Sequence, residues 1–171
     1  STPEGHLLCF LPTLEALQKL FGRVTVVGSG TQTSRCQNSI LDCLDKLGQL
    51  SGFGVLAHID GPGGFENENP GNSPHKIDVL CHKTLLGIEL RDSTCPISYS
   101  DGDPDANRVS CGKERIKRLG LGSKQYLARM LNSDSHSLGA MGRNARGDRK
   151  VTRVKMDRSS FEALRIALED S

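Results

Sequence analysis

Two apolar runs constrain the fold class more than any other feature of the chain. Residues 53–58 (Phe-Gly-Val-Leu-Ala-His) and 85–90 (Leu-Leu-Gly-Ile-Glu-Leu) are of strand length and almost continuously apolar. Strands of this kind are buried on both faces, as in parallel sheets covered by helices. The segments around them fit that arrangement. Residues 6–11, 24–27 and 126–131 read as further strands, and 151–156 alternates apolar and basic residues like a half-exposed one. Helical spacing appears at Leu14, Leu17, Leu20 and Phe21, where Thr13 is a plausible N-cap and Gly22 a stop. It recurs over 37–47 (Ile40, Leu41, Leu44, Leu47, stopped by Gly48), over 74–80, and in a short basic helix over 114–119. A last helix begins at Ser159, which has capping-box spacing to Glu162. The order strand-helix-strand-helix predicts an α/β fold with mostly parallel strands and outer helices. Residues 60–74, 92–112 and 137–148 read as irregular; a loop as long as 92–112 marks a functional or mobile segment.

In parallel α/β folds, ligands bind beyond the carboxyl ends of the strands. Chemistry-bearing residues gather there. His58 ends one strand run. Asp134 and His136 follow the run 126–131, two residues apart, so both project from the same side of an extended chain and can converge on one point such as a metal. His6 opens its strand rather than closing it. Imidazole nitrogens and carboxylate oxygens suit zinc, manganese and ferrous iron. Blander roles exist for each: an Asx turn with a surface histidine for Asp134 and His136, a carbonyl-bonded core histidine for His58, and an exposed histidine for His6. Asp60 reads as a turn residue, Glu89 as a support or solvent-facing group, and His75 and His82 as helix-face residues. Gly61-Pro62-Gly63-Gly64 lacks the Lys and Ser/Thr of a nucleotide-binding P-loop and reads as a wide turn. Residues 143–158 carry seven Lys or Arg, with Arg143, Arg146, Arg149 and Lys150 as candidate phosphate or nucleic-acid contacts.

Composition narrows the options. A formal net charge of +2 does not by itself imply a polyanion partner, and 4% aromatics without Trp argue against a base-stacking platform. No stretch approaches the roughly 20 apolar residues of a membrane span, and no basic-then-apolar leader opens the sequence. The six cysteines form no CxxC pair; they read as reduced, largely structural thiols, which fits a cytoplasmic location.

The motifs resemble those of the PHP (polymerase and histidinol phosphatase) superfamily. Gly5-His6-Leu7-Leu8-Cys9-Phe10 is similar to its Gly-His motif before an apolar strand, Val55-Leu56-Ala57-His58 to its strand-ending histidine motif, and Ser133-Asp134-Ser135-His136 to its final Asp-x-His motif. Gly87-Ile88-Glu89-Leu90 resembles the strand between the last two. The tail, with its basic strand and the Phe161-Glu162-Ala163-Leu164 helix, resembles PHP domains fused to a large ATPase in bacteria. The resemblance implies a distorted seven-stranded (β/α) barrel and two or three divalent ions (zinc, manganese or iron). It also implies hydrolysis of a phosphate ester, on a small molecule or nucleic acid, by metal-activated water. His6 and His58 would share one metal, with Asp134 on a second and His136 on a third; Asp134 and His136 would be catalytic. The family's opening His-x-His strand, a further histidine and a metal-bridging glutamate have no counterpart here, and Ile59-Asp60 stands where the family has proline. The expectation is therefore one domain over 1–171: an incomplete barrel, the C-terminal two-thirds of a PHP domain, weakly active or inactive alone. The rival expectation is a non-catalytic regulatory or nucleic-acid-binding module on the same barrel.

Overall fold

The computed structural model describes every residue except 1, 32, 132, 134, 136, 144–146, 148 and 171. The chain runs β1 (Leu7–Phe10), α1 (Leu14–Phe21), β2 (Val26–Val27), β3 (Arg35–Cys36), α2 (Ile40–Gln49), β4 (Phe53–Leu56), α3 (Phe65–Glu68), α4 (Pro74–Leu80), β5 (Leu85–Leu90), α5 (Ala106–Leu119), β6 (Ala128–Leu131) and α6 (Phe161–Glu169). A four-stranded sheet has the order β1-β4-β5-β6. β4, β5 and β6 are parallel, and β1 is antiparallel to β4. The mixed α/β class with a mostly parallel sheet is thus as the apolar runs require.

Both faces of the sheet are covered. On one lie α2, α4 and α5, with Ile40, Leu44, Leu47, Leu56, Leu80, Leu85 and Ile88 in the larger apolar cluster. On the other, α6 sets Leu168, Phe161 and Leu164 against Phe53, Val55 and Leu86. Complete burial of β4 and β5 explains their unbroken apolar sequence.

Several sequence expectations are corrected. The 24–27 strand shrinks to β2 and pairs only with β3, in a separate hairpin. With no parallel strand between them, β1 and β4 become antiparallel neighbours. Gly48 does not stop α2, which continues to Gln49. The 92–112 loop gives way at Ala106 to α5, a 14-residue helix capped by Asp105. It lies so close to the preceding loop that a Cβ on Gly112 would stand 1.9 Å from the Tyr99 carbonyl oxygen. Residues 151–156 form no strand: Thr152 Oγ1 alone bridges the β6 edge, accepting from Leu131 N (2.7 Å) and donating to Leu131 O (2.8 Å). Ser160, not Ser159, caps α6 through Ala163 N. His75 does lie in α4, but His82 lies beyond it, against Asp45.

A buried ionic network fixes the segment before α5. Asp103 accepts from the backbone of Ser98 (2.8 Å) and Tyr99 (3.1 Å) and pairs with Arg108 at 2.9 Å. Lys76, fully buried, meets Glu66 at 2.8 Å, and the Tyr99 hydroxyl donates to the same carboxylate. Arg115 threads the core and donates to three carbonyls: Leu80, His82 and Leu85.

Candidate functional site

The antiparallel turn of β1 resolves the position of His6. Leu7 pairs with Leu56, the last residue of β4, so the start of β1 lies at the carboxyl end of β4. Ala57 N donates to His6 O at 2.9 Å, and the next residue is His58. The two imidazoles meet, His6 Nδ1 to His58 Nε2 at 2.7 Å, in an edge-to-face arrangement with centroids 4.6 Å apart. Residues 52 apart in sequence thus form one pair.

Each histidine is held by its backbone. His58 has φ +29°, a region side-chain-bearing residues rarely occupy without support. The support comes from β5. His58 N donates to Glu89 Oε2 (2.9 Å), Ile59 N to Glu89 O (2.8 Å), and Arg91 N to Asp60 Oδ1 (3.0 Å). Before His6, Glu4 accepts from Ile40 N at the start of α2 (2.9 Å) and lies 3.2 Å from His75. Gly5, at φ +139°, presses on α3: a Cβ there would lie 3.1 Å from Phe65 Cα.

Glycines leave room beside both rings. A Cβ on Gly63 would stand 3.5 Å from His6 Nε2, and one on Gly61 3.4 Å from His58 Nδ1. The wide turn 61–64 is therefore folded over the pair, its backbone within van der Waals reach of both rings. Glu89 is 3% exposed, and its Oε1 has no hydrogen-bond partner among the described residues. Imidazole nitrogens are donors of the type zinc, manganese and iron accept, but here one nitrogen of each ring is bonded to the other ring. They are not a full coordination shell: among the described residues no group of three or more His, Cys, Asp or Glu side chains is placed to hold a metal.

Of the remaining expected site residues, Asp134, His136 and Arg146 lie outside the described residues. Their segment follows β6, whose last residues Met130 and Leu131 pair with Glu89 and Leu90, so β6 finishes at the same end of the sheet as β4, two strands away from it. The basic stretch is tied to that exit. Thr152 bridges Leu131, Gly142 N donates to Ser133 Oγ (3.1 Å), and Lys150 N to Gly142 O (2.8 Å). Arg143 and Arg149 pair as an isolated bridge and are exposed, while Lys150 is half-buried. None of these three forms an ion pair among the described residues, although the Arg143 guanidinium donates to Gly147 O. Asp60 serves the turn, as its sequence context suggests.

Glu89 is the site residue that sequence reasoning underweighted. Its signal was a lone carboxylate in an otherwise apolar, doubly buried strand. The described residues contain no helix long and apolar enough to cross a membrane. Compared with known proteins, the chain matches no family, no curated protein and no solved structure.

Proposed function

We propose that this chain is a PHP-type, metal-dependent phosphoesterase, its open sheet part of a (β/α) barrel and its substrate a phosphate ester on a small molecule or nucleic acid. The observation that carries the reading is the meeting of His6 and His58 at the carboxyl end of the parallel strands, the end at which β6 also finishes ahead of Asp134 and His136. His6 and His58 would hold one divalent ion (zinc, manganese or iron), with Asp134 and His136 as the further ligands. Such ions supply a hydroxide near neutral pH and neutralise charge on the phosphate. The chain's own residues do the rest. Glu89 orients His58 through its backbone N–H, and the glycine turn packs over both rings. Arg143, Arg149 and Lys150, with Arg146, would draw a phosphate-bearing substrate toward the β6 exit. A polymeric phosphate fits that basic face. A fused ATPase and a cytoplasmic location belong to the same proposal, resting on the resemblance of the tail.

The test is elemental analysis of the purified chain and of His58→Ala, followed by phosphatase and nuclease assays on both with zinc, manganese or iron supplied. Transition metal that co-purifies with the parent and is lost in the variant is the expected result. Absence of bound metal even when it is supplied, with full nucleic-acid binding in the presence of chelator, would replace this reading by the non-catalytic module.

A further inference from the structure

Cys36 and Cys43 are the two sulfurs in contact, Sγ to Sγ at 4.0 Å. Cys36 ends β3 and is half-buried; Cys43 is buried in the first turns of α2. Between them the chain turns through Asn38, whose Oδ1 accepts from Thr25 N at 2.7 Å and lies 3.6 Å from Cys36 Sγ. The β2–β3 hairpin, continuous with α2 through residues 37–39, is also held against the N-terminal end of α2 by these side chains. That end of α2 also donates Ile40 N to Glu4, two residues before His6, so the hairpin borders the histidine edge of the sheet.

We propose that Cys36 and Cys43 form an oxidisable dithiol that tethers the hairpin to α2. A disulfide needs its sulfurs at about 2.05 Å, so the 4.0 Å gap must close by side-chain rotation and a small hairpin shift. The order of events follows from access. Burial, and then the neighbouring Cys36 thiolate, push the Cys43 thiol up to about 12, so it stays protonated until Cys36 has reacted; conversion of Cys36 to the neutral sulfenic acid removes the second of these causes. Cys36, the more accessible sulfur, reacts first. Its thiolate attacks a hydroperoxide; the O–O bond breaks, an alkoxide leaves with the electron pair and takes a proton, and Cys36 becomes a sulfenic acid. Cys43 sulfur then attacks Cys36 Sγ; the S–O bond breaks, and hydroxide leaves with the Cys43 proton as water. Two thiols and one hydroperoxide give one disulfide, one alcohol and one water. Cys9, on the edge strand β1, is near enough to interact electrostatically with both and is the competing partner.

Trypsin cleavage after Arg35 and Lys46 places both sulfurs in one peptide, 36–46. After exposure of the folded chain to hydrogen peroxide, that peptide should be lighter by two hydrogens and resist alkylation until a dithiol is added. Cys43→Ser should instead leave a Cys36 sulfenic acid that dimedone traps. In the oxidised chain, amide exchange over 24–37 should slow and recover on reduction. A peptide 36–46 still alkylated at both sulfurs, a link from Cys36 to Cys9, or unchanged exchange in the hairpin would each overturn the proposal.

Discussion

Glu89 is the residue whose replacement most directly tests how the histidine pair is built. In Glu89→Ala the buried His58 N–H loses its acceptor, a loss of about 1–3 kcal/mol. The space vacated by the side chain adds about 1 kcal/mol. Removing a buried carboxylate with an unpartnered oxygen gives some of that back. The net expectation is a loss of about 2–3 kcal/mol. At about 2–4 °C per kcal/mol for a chain of this size, that lowers Tm by roughly 5–10 °C. Glu89→Gln keeps the volume and a carbonyl oxygen for His58 N–H, so its stability should stay within about 1 kcal/mol of the parent. Thermal unfolding followed by circular dichroism gives the stability term. Nitrogen-15 spectra of the imidazoles report the His6–His58 contact, which Glu89→Ala should disrupt and Glu89→Gln should keep. If Glu89→Gln proves as damaging as Glu89→Ala, or if Glu89→Ala leaves both Tm and the imidazole signals unchanged, the carboxylate does not hold His58 as argued.

Two further outcomes follow from the geometry. Gly64→Ala would drive a methyl to 2.4 Å from His58 O and within 3 Å of Ile59 O and Gly61 O, all backbone, so the 58–61 turn must open. A loss of about 1–3 kcal/mol and altered imidazole spectra are expected, measured as for Glu89. The Asp103 carboxyl is raised by its burial, but the Arg108 guanidinium and the N–H groups of Asp105, Ser98 and Tyr99 outweigh this and hold it below the usual range. Its stabilisation is therefore complete above about pH 4 and lost as pH falls through the lower, folded value. Asp103→Asn should flatten the acid limb of a Tm-versus-pH curve below about pH 4; an unchanged limb would remove Asp103 from the account.

What could be read in advance depended on whether burial leaves a periodic trace. The parallel core strands were legible because β4 and β5 are apolar on both faces. The N-terminal half of α5 was not: its buried residues are Cys111, Gly112 and Arg115, a close-packed and polar face with no apolar stripe. Asp105, whose carboxylate accepts from Asn107 N and Arg108 N, was the one available start signal. His6 seemed to sit at the wrong end of its strand because strand direction is a tertiary property; reversal of β1 puts it at the right one. Val151, Val154 and Met156 alternate as a strand would, yet one threonine side chain takes the place of a ladder.

The reversed pairing of β1 with β4 also bears on the order of folding. β1 meets β4 only after the chain has passed through α1, the hairpin and α2, and the β4–β5 and β5–β6 pairings likewise span a helix or more, so every rung of this sheet closes a long loop. The imidazole contact depends on that closure and has no local substitute. In a refolding experiment the His6–His58 signal should therefore trail helix formation, making the candidate site a reporter of sheet assembly.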